Sequence, residues 1–318
     1  MTPAAPEPDA IGDESVVRRA SELAVFSSLL FAQIFLGAFP VIGKIALATI
    51  PPLPFALFRV AGASALLLLV ARFRPREIIA RRDRRRFWLL SFLGVSVNQI
   101  FFITGLSLST AINAAILMTT IPALTLFFAI LTGRESATAR KIAGCLLALA
   151  GALVLVGAGR FDWRSNLFLG DLLLLTNAAC YSLYLVLSRD LLKKYTAATF
   201  IRVTFSMGAL PVLVIAAVPV ARMSFRQVTP VAWICLAAVI VFASVVAYVL
   251  NAWALARTHA SRVAIFVTLQ PVVATALAIV WIGEIPTAKT AVSAGLIFAG
   301  LLLSRPPLSR RPVSRRPV

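Results

Sequence analysis

Ten stretches of this chain are apolar for about the length a helix needs to cross a membrane, and that leaves few folds open to it. They run over residues 24–45, 53–71, 87–107, 110–133, 142–158, 168–188, 197–219, 231–254, 261–283 and 288–304. A hydrocarbon layer about 30 Å thick takes roughly 20 residues of helix. Inside these runs almost the only ionisable side chains are Lys44, Arg59, Asp171 and Arg202, which is what a solvent unable to hydrate charge permits. The chain is 60% apolar and 14% charged, against about 45 to 50% and 25% in soluble domains. A backbone in hydrocarbon must satisfy its own hydrogen bonds, so the runs are expected as helices. The fold expected is therefore an all-α membrane protein of ten transmembrane helices, with connections too short for a folded soluble domain.

A net charge of +19 on a soluble chain would suggest a nucleic acid partner, but its distribution argues against one. With the N-terminus in the cytoplasm, 23 of the 31 basic residues fall on cytoplasmic segments, eight of them arginines between Arg72 and Arg86. External loops hold Arg160, Arg164, Arg222, Arg226 and Lys289. That asymmetry places both termini in the cytoplasm. The leading segment carries Glu7, Asp9, Asp13, Glu14 and Glu22, so the first apolar run is expected to stay as a helix rather than act as a cleaved signal. The preference for Arg over Lys points to a bacterial genome, and so to the inner membrane. Cys145, Cys180 and Cys235 lie within apolar runs without metal-ligand spacing, and are read as packing residues. No metal or cofactor is expected.

The sequence repeats itself. Shifted by 149 positions, Leu106–Leu153 overlays Leu255–Leu302, pairing Pro122 with Pro271, Glu135 with Glu284 and Gly151 with Gly300. Arg59 in Phe58-Arg59-Val60 answers Arg202 in Ile201-Arg202-Val203. The domains expected are a tail over 1–23, a five-helix repeat over 24–158, a second over 168–304, and a basic tail over 305–318. An odd number of helices per copy inverts the second in the membrane, the plan of many secondary transporters.

Polar residues in hydrocarbon are costly and should face the bundle or a water-filled cavity. Asn177, Tyr181, Tyr184 and Ser188 form one stripe at spacings of 0, 4, 7 and 11; Ser244, Tyr248 and Asn251 form another at 0, 4 and 7; Asn98 and Gln99 sit mid-run. Asn98, Gln99, Asn177, Tyr181, Tyr184, Tyr248 and Asn251 are expected to line a central substrate site, the alternative being interhelical hydrogen bonds that hold the bundle. Lys44 and Arg59 are candidates to meet a substrate carboxylate, or else snorkel or neutralise helix-end carbonyls. Pro122 and Pro271 are candidate gating kinks, the alternative being static kinks. Glu135 and Glu284, each just before a following helix, are read as helix caps.

These residues also carry a family resemblance. Pro122, Gly133-Arg134-Glu135, Gly144 and Gly151 in one half, and Ala247-Tyr248, Ala252-Trp253-Ala254-Leu255, Leu269-Gln270-Pro271, Gly283-Glu284 and Gly300 in the other, resemble the EamA-type branch of the drug/metabolite transporters over residues 24–304. Gly37, Lys44 and Arg59 also look like family positions, while the usual Trp-Gly of the first helix reads Leu36-Gly37. The resemblance implies a permease for amino acids or other small metabolites, with export common among bacterial members. An exported amino acid is the first expectation, a drug-like or nucleoside-like compound the second. An enzyme is not expected: the one histidine, His259, lies in a short loop, and no paired carboxylates or Walker-type loop occur. A membrane scaffold would leave the repeat without a purpose. The expected partners are a small-molecule substrate and the lipid bilayer, and a homodimer stays open.

Overall fold

The computed structural model describes residues 8–72, 77–157, 165–255, 266 and 269–304, and among these every regular element is helical. We label them α1 (Pro8–Leu47), α2 (Pro52–Ala71), α3 (Arg81–Leu108), α4 (Ala111–Leu131), α5 (Ala139–Gly157), α6 (Asn166–Leu192), α7 (Ala197–Ala221), α8 (Pro230–Ala238 continued by Val239–Val246 and Ala247–Leu255), α9 (Leu269–Ile282) and α10 (Ala288–Ser304). Among the described residues eight are long and apolar enough to span a bilayer; α9 and α10 are shorter apolar helices. The first part of the expected ninth run, 261–283, lies partly outside the described residues, as do residues 1–7 and the tail 305–318. α1 opens at Pro8, so the helix extends well upstream of residue 24, into the segment expected as a tail.

Departures from uniform helix in α3, α8 and α4 shape the interior of the bundle. α3 and α8 each contain a π-helical stretch, Phe92–Val97 and Val239–Val246, where the wider i→i+5 turn re-aims the side chains beyond it. α4 is interrupted at Thr119 and Thr120, and Pro122 lies in the first turn of its second segment, where a missing N–H costs little. The threonine hydroxyls add a second donor to carbonyls that already accept the Thr119 and Thr120 backbone N–H groups, Thr119 Oγ1 donating to Ile116 O and Thr120 Oγ1 to Leu117 O, both at 2.6 Å.

The helices do not pack in two separate sequence halves. α1 packs on α8 and α9, α6 on α3 and α4, α2 on α7 and α8, α7 on α3, α4 on α9, and α5 on α10. Large apolar side chains point outward, among them Val214, Val280 and Leu131, an outer surface suited to lipid rather than water. An apolar hollow of about 240 Å³ between α4 and α5, lined by Phe127, Leu131, Ile142 and Leu146, belongs to that outer surface.

Candidate functional site

A cavity of about 350 Å³ lies in the middle of the bundle, where α1, α2, α3, α4, α6, α8 and α9 converge. Its polar wall is a continuous chain of side chains crossing four helices. Arg59 of α2 donates through Nε to Ser244 Oγ of α8 at 3.0 Å and through Nη1 to Gln99 Oε1 of α3. Gln99 Nε2 donates to Asn98 Oδ1 at 3.2 Å, and Asn98 Nδ2 to Asn177 Oδ1 of α6 at 2.7 Å. The apolar wall is aromatic and sulfur-bearing: Phe39 stacks on Phe102 at 4.9 Å, with Met118, Tyr181 and Tyr248 nearby. The guanidinium carbon of Arg59 lies 3.9 Å from the Phe39 ring centre, within the range of a cation–π contact.

The structure brings six of the sequence-derived candidates to this cavity: Arg59, Asn98, Gln99, Asn177, Tyr181 and Tyr248, with Pro122 beside them. The two readings of the amides coexist, because the same groups join helices and face the cavity. Tyr184 does not line it. Its ring stacks on Phe200 and fills a socket at Gly94, where a Cβ would lie 2.4 Å from the ring. Lys44 does not line it either; Nζ donates to the carbonyls of Leu106, at 3.1 Å, and Ser109, neutralising the end of α3. The Asn251 side chain falls outside the described residues. Pro271 is buried near the start of α9, while its neighbour Gln270 reaches the cavity and donates to Gln33 Oε1 at 2.6 Å.

Lys44 belongs to a second polar cluster that closes the bundle at the end where α1, α3 and α9 finish and α4 and α6 begin. Asp171 is 1% exposed and accepts from Ser109 Oγ and, at 3.2 and 3.0 Å, from Asn113 Nδ2. Ser109 thus receives Lys44 on its carbonyl and gives its hydroxyl to Asp171. Glu284 accepts from the backbone N–H groups of Ala111 at 2.8 Å and Ile112 at 3.0 Å. It caps α4, a helix of the other half, and not the α10 that follows it in sequence. At the opposite end, the described ties join α4 to α6 through Arg134 and Asp190, and α3 to the α6–α7 connection through Asp83 with Lys194 and Tyr195.

The sequence profile of the EamA-like transporter family matches residues 24–157 and again 168–305. The chain belongs to that family. Similar proteins include the "Uncharacterized transporter YyaM" of Bacillus subtilis, 26% identical over 79% of this chain and 84% of its own length. An uncharacterized transporter of Archaeoglobus fulgidus is 29% identical over 81% and 89%, and a WAT1-related protein of Arabidopsis thaliana 26% identical over 73% and 71%. One crystal structure shares the fold at a TM-score of 0.60 and 20% identity, covering 92% of this chain and 99% of that one. The EamA-like chain is accordingly a multi-pass membrane transporter of the drug/metabolite superfamily, not an enzyme.

Sequence reasoning missed Phe39, Phe102 and Met118, because an apolar residue reads the same whether it faces lipid or a cavity. Ser244 carried a signal, the i, i+4 spacing to Tyr248. The capping carboxylates of this transporter differ in what they hold. Glu284→Ala is expected to lower stability by about 1 to 2 kcal/mol through loss of the α4 cap and its dipole complement. Glu135→Ala removes an ion pair with Lys141 that is part-exposed and is expected to cost under about 0.5 kcal/mol. Thermal unfolding of both variants in detergent decides it, and equal melting temperatures would refute the assignment.

Proposed function

We propose that this EamA-like transporter moves a small amphipathic metabolite bearing a carboxylate, an amino acid or a relative of one, across a bacterial inner membrane by alternating access. The observation that carries the reading is the cavity: a hollow between helices of both halves, with one polar wall centred on a buried cation and one aromatic wall. Such a combination of apolar faces with few placed polar groups is what holds a small amphipathic ligand.

Two inverted five-helix repeats, 24–158 and 168–304, would give the cavity its two faces. The packing scheme supports this, since a shift by five helices exchanges most of its larger contacts: α1 on α8 and α9 becomes α6 on α3 and α4, and α2 on α8 becomes α7 on α3. The pairs α2 with α7, α4 with α9, and α5 with α10 are each carried onto themselves. The π-helical stretches of α3 and α8 fall at matching places, and Gly133 and Gly283 end α4 and α9 with φ of 69° and 66°. Two arrangements of such halves are nearly degenerate, so little energy separates the inward and outward states.

Export is the favoured direction. The family resemblance favours it, and the positive-inside distribution argues for both termini in the cytoplasm and the Lys44–Asp171–Glu284 cluster at the outer end. Pro122 and Pro271 are the proposed gating positions, Pro122 at the interruption in the middle of α4 and Pro271 near the start of α9.

The test is efflux of radiolabelled amino acids from preloaded liposomes containing the wild type, Tyr181→Ala or Tyr248→Ala. Saturable efflux of one class is expected, reduced about tenfold or more in the variants, the equivalent of about 1.4 kcal/mol of lost contact. Flux untouched by either substitution removes these residues from the site. Absence of amino acid flux, with flux of nucleosides instead, transfers the substrate to the planar compounds that the same aromatic wall accommodates.

A further inference from the structure

The charge of the cavity wall is unbalanced. Arg59 is 6% exposed, and its described partners are a hydroxyl, an amide oxygen and a ring face, all neutral. Its Nη2 has no hydrogen-bond acceptor among the described residues, and the side chain lines the cavity. Among the described residues no aspartate or glutamate lines the cavity; the buried Asp171 is committed to Ser109 and Asn113 in the outer cluster. A guanidinium stays charged at any pH a cell meets, and burying it without a counter-charge is costly. The free edge of a guanidinium fits a carboxylate.

The same wall has little to offer an ammonium group. Asn98 Oδ1 already accepts from Gln99, and Asn177 Oδ1 from Asn98. Gln270 retains its carbonyl oxygen, but any cation in a cavity of about 350 Å³ is repelled at short range by Arg59, in a medium that screens poorly. Beyond the amides of Asn177 and Gln270 and the hydroxyls of Tyr181 and Tyr248, which carry no charge, the wall away from Arg59 is apolar, built by Phe102, Met118 and Ile121.

We propose that the cavity selects by net charge, taking monoanionic amphipathic carboxylates, such as N-acylated or deaminated relatives of amino acids, in preference to zwitterions and cations of the same shape. This rests on the transporter reading and narrows its substrate class. The carboxylate seats on Arg59 beside Gln99 and Ser244, and the side chain lies against the aromatic wall.

Matched probes test it on the full-length protein in detergent and in liposomes: 3-phenylpropanoate and N-acetylphenylalanine as monoanions, phenylalanine as zwitterion, 3-phenylpropanamide as the neutral isostere and phenylalanine amide as the cation. Calorimetric titration of the wild type is expected to place both anions at least about tenfold tighter than phenylalanine and the amides, a difference that needs no variant. Arg59→Gln is expected to erase the advantage of 3-phenylpropanoate over 3-phenylpropanamide, while Arg59→Lys keeps part of it. Phenylalanine bound and transported as well as the anions overturns charge selection and leaves the transporter reading standing. Anions bound with the expected preference but never transported support the selection and overturn the transport reading. Binding of no probe, or an anion preference that survives Arg59→Gln, overturns the proposal.

Discussion

Replacing Asp171 by leucine is expected to open the sealed end of the transporter and to cost about 3 to 5 kcal/mol of stability. The carboxylate holds the Ser109 hydroxyl and the Asn113 amide in a site that is 1% exposed. Its removal leaves two buried donors unsatisfied, at about 1 to 3 kcal/mol each, and strips the cluster of the charge that faces Lys44 through Ser109. Because α3, α4 and α6 meet at this point, the loosened contacts lie, in the orientation proposed above, between the cavity and the outer face. The readout is a cysteine at Ala115, on the cavity wall, in a background lacking Cys145, Cys180 and Cys235. A membrane-impermeant thiol reagent added from outside is expected to label it slowly in the parent and much faster beside Asp171→Leu. Asp171→Asn, which keeps an oxygen for Ser109, should fall between. Equal labelling in all three would place the seal elsewhere.

How much of this architecture was legible depended on which residues carry a cost in hydrocarbon. Asn98 and Asn177 could be placed near the centre from sequence because a polar group in lipid has nowhere cheaper to go; for Arg59 the sequence left open whether it meets a substrate or snorkels to a helix end. Tyr181 and Tyr184 shared one stripe, yet only Tyr181 faces the cavity; the socket at Gly94 that takes Tyr184 is a property of α3, and no pattern along α6 reports it. Lys44 and Asp171 stood out as intramembrane charges, but their junction at Ser109 joins residues 65 and 62 positions apart. Glu284 was legible as a cap from its place before a helix, and its target was not, because α4 lies 172 positions away in sequence. At the break in α4 the Thr119 and Thr120 hydroxyls bond the carbonyls of Ile116 and Leu117 in the preceding turn, and Pro122 lies in the first turn of the second segment, not in the interior of a continuous helix.

The other large effect is expected far from the cavity, at the contact of α5 and α10. A Cβ added to Gly300 would lie 2.5 Å from both the Ala148 nitrogen and the Gly144 oxygen, and one added to Gly144 would lie 2.6 Å from the Gly300 oxygen. These are backbone atoms, which cannot swing aside as the tip of a side chain can. Ser293 Oγ, donating to the Gly151 oxygen at 2.7 Å, adds a hydrogen bond that depends on the same close approach. In lipid the association of helices draws on such packing rather than on expulsion of water. Gly300→Leu must therefore separate the two helices along much of their length, and the expected loss exceeds the roughly 1 to 3 kcal/mol of an ordinary overpacked site. Little folded protein should survive, and Gly300→Ala should melt measurably below the wild type. Gly295→Ala is the control: nothing lies within 4 Å of its Cβ position, and the better helix former is expected to leave stability unchanged or raise it by up to about 1 kcal/mol. Fluorescence-detected size exclusion after heating compares all three. Since neither α5 nor α10 contributes a residue to the cavity wall, Gly300→Ala should retain wild-type probe selectivity while melting earlier. A change in selectivity without a change in melting would mean that this helix pair shapes the site and does not merely brace it.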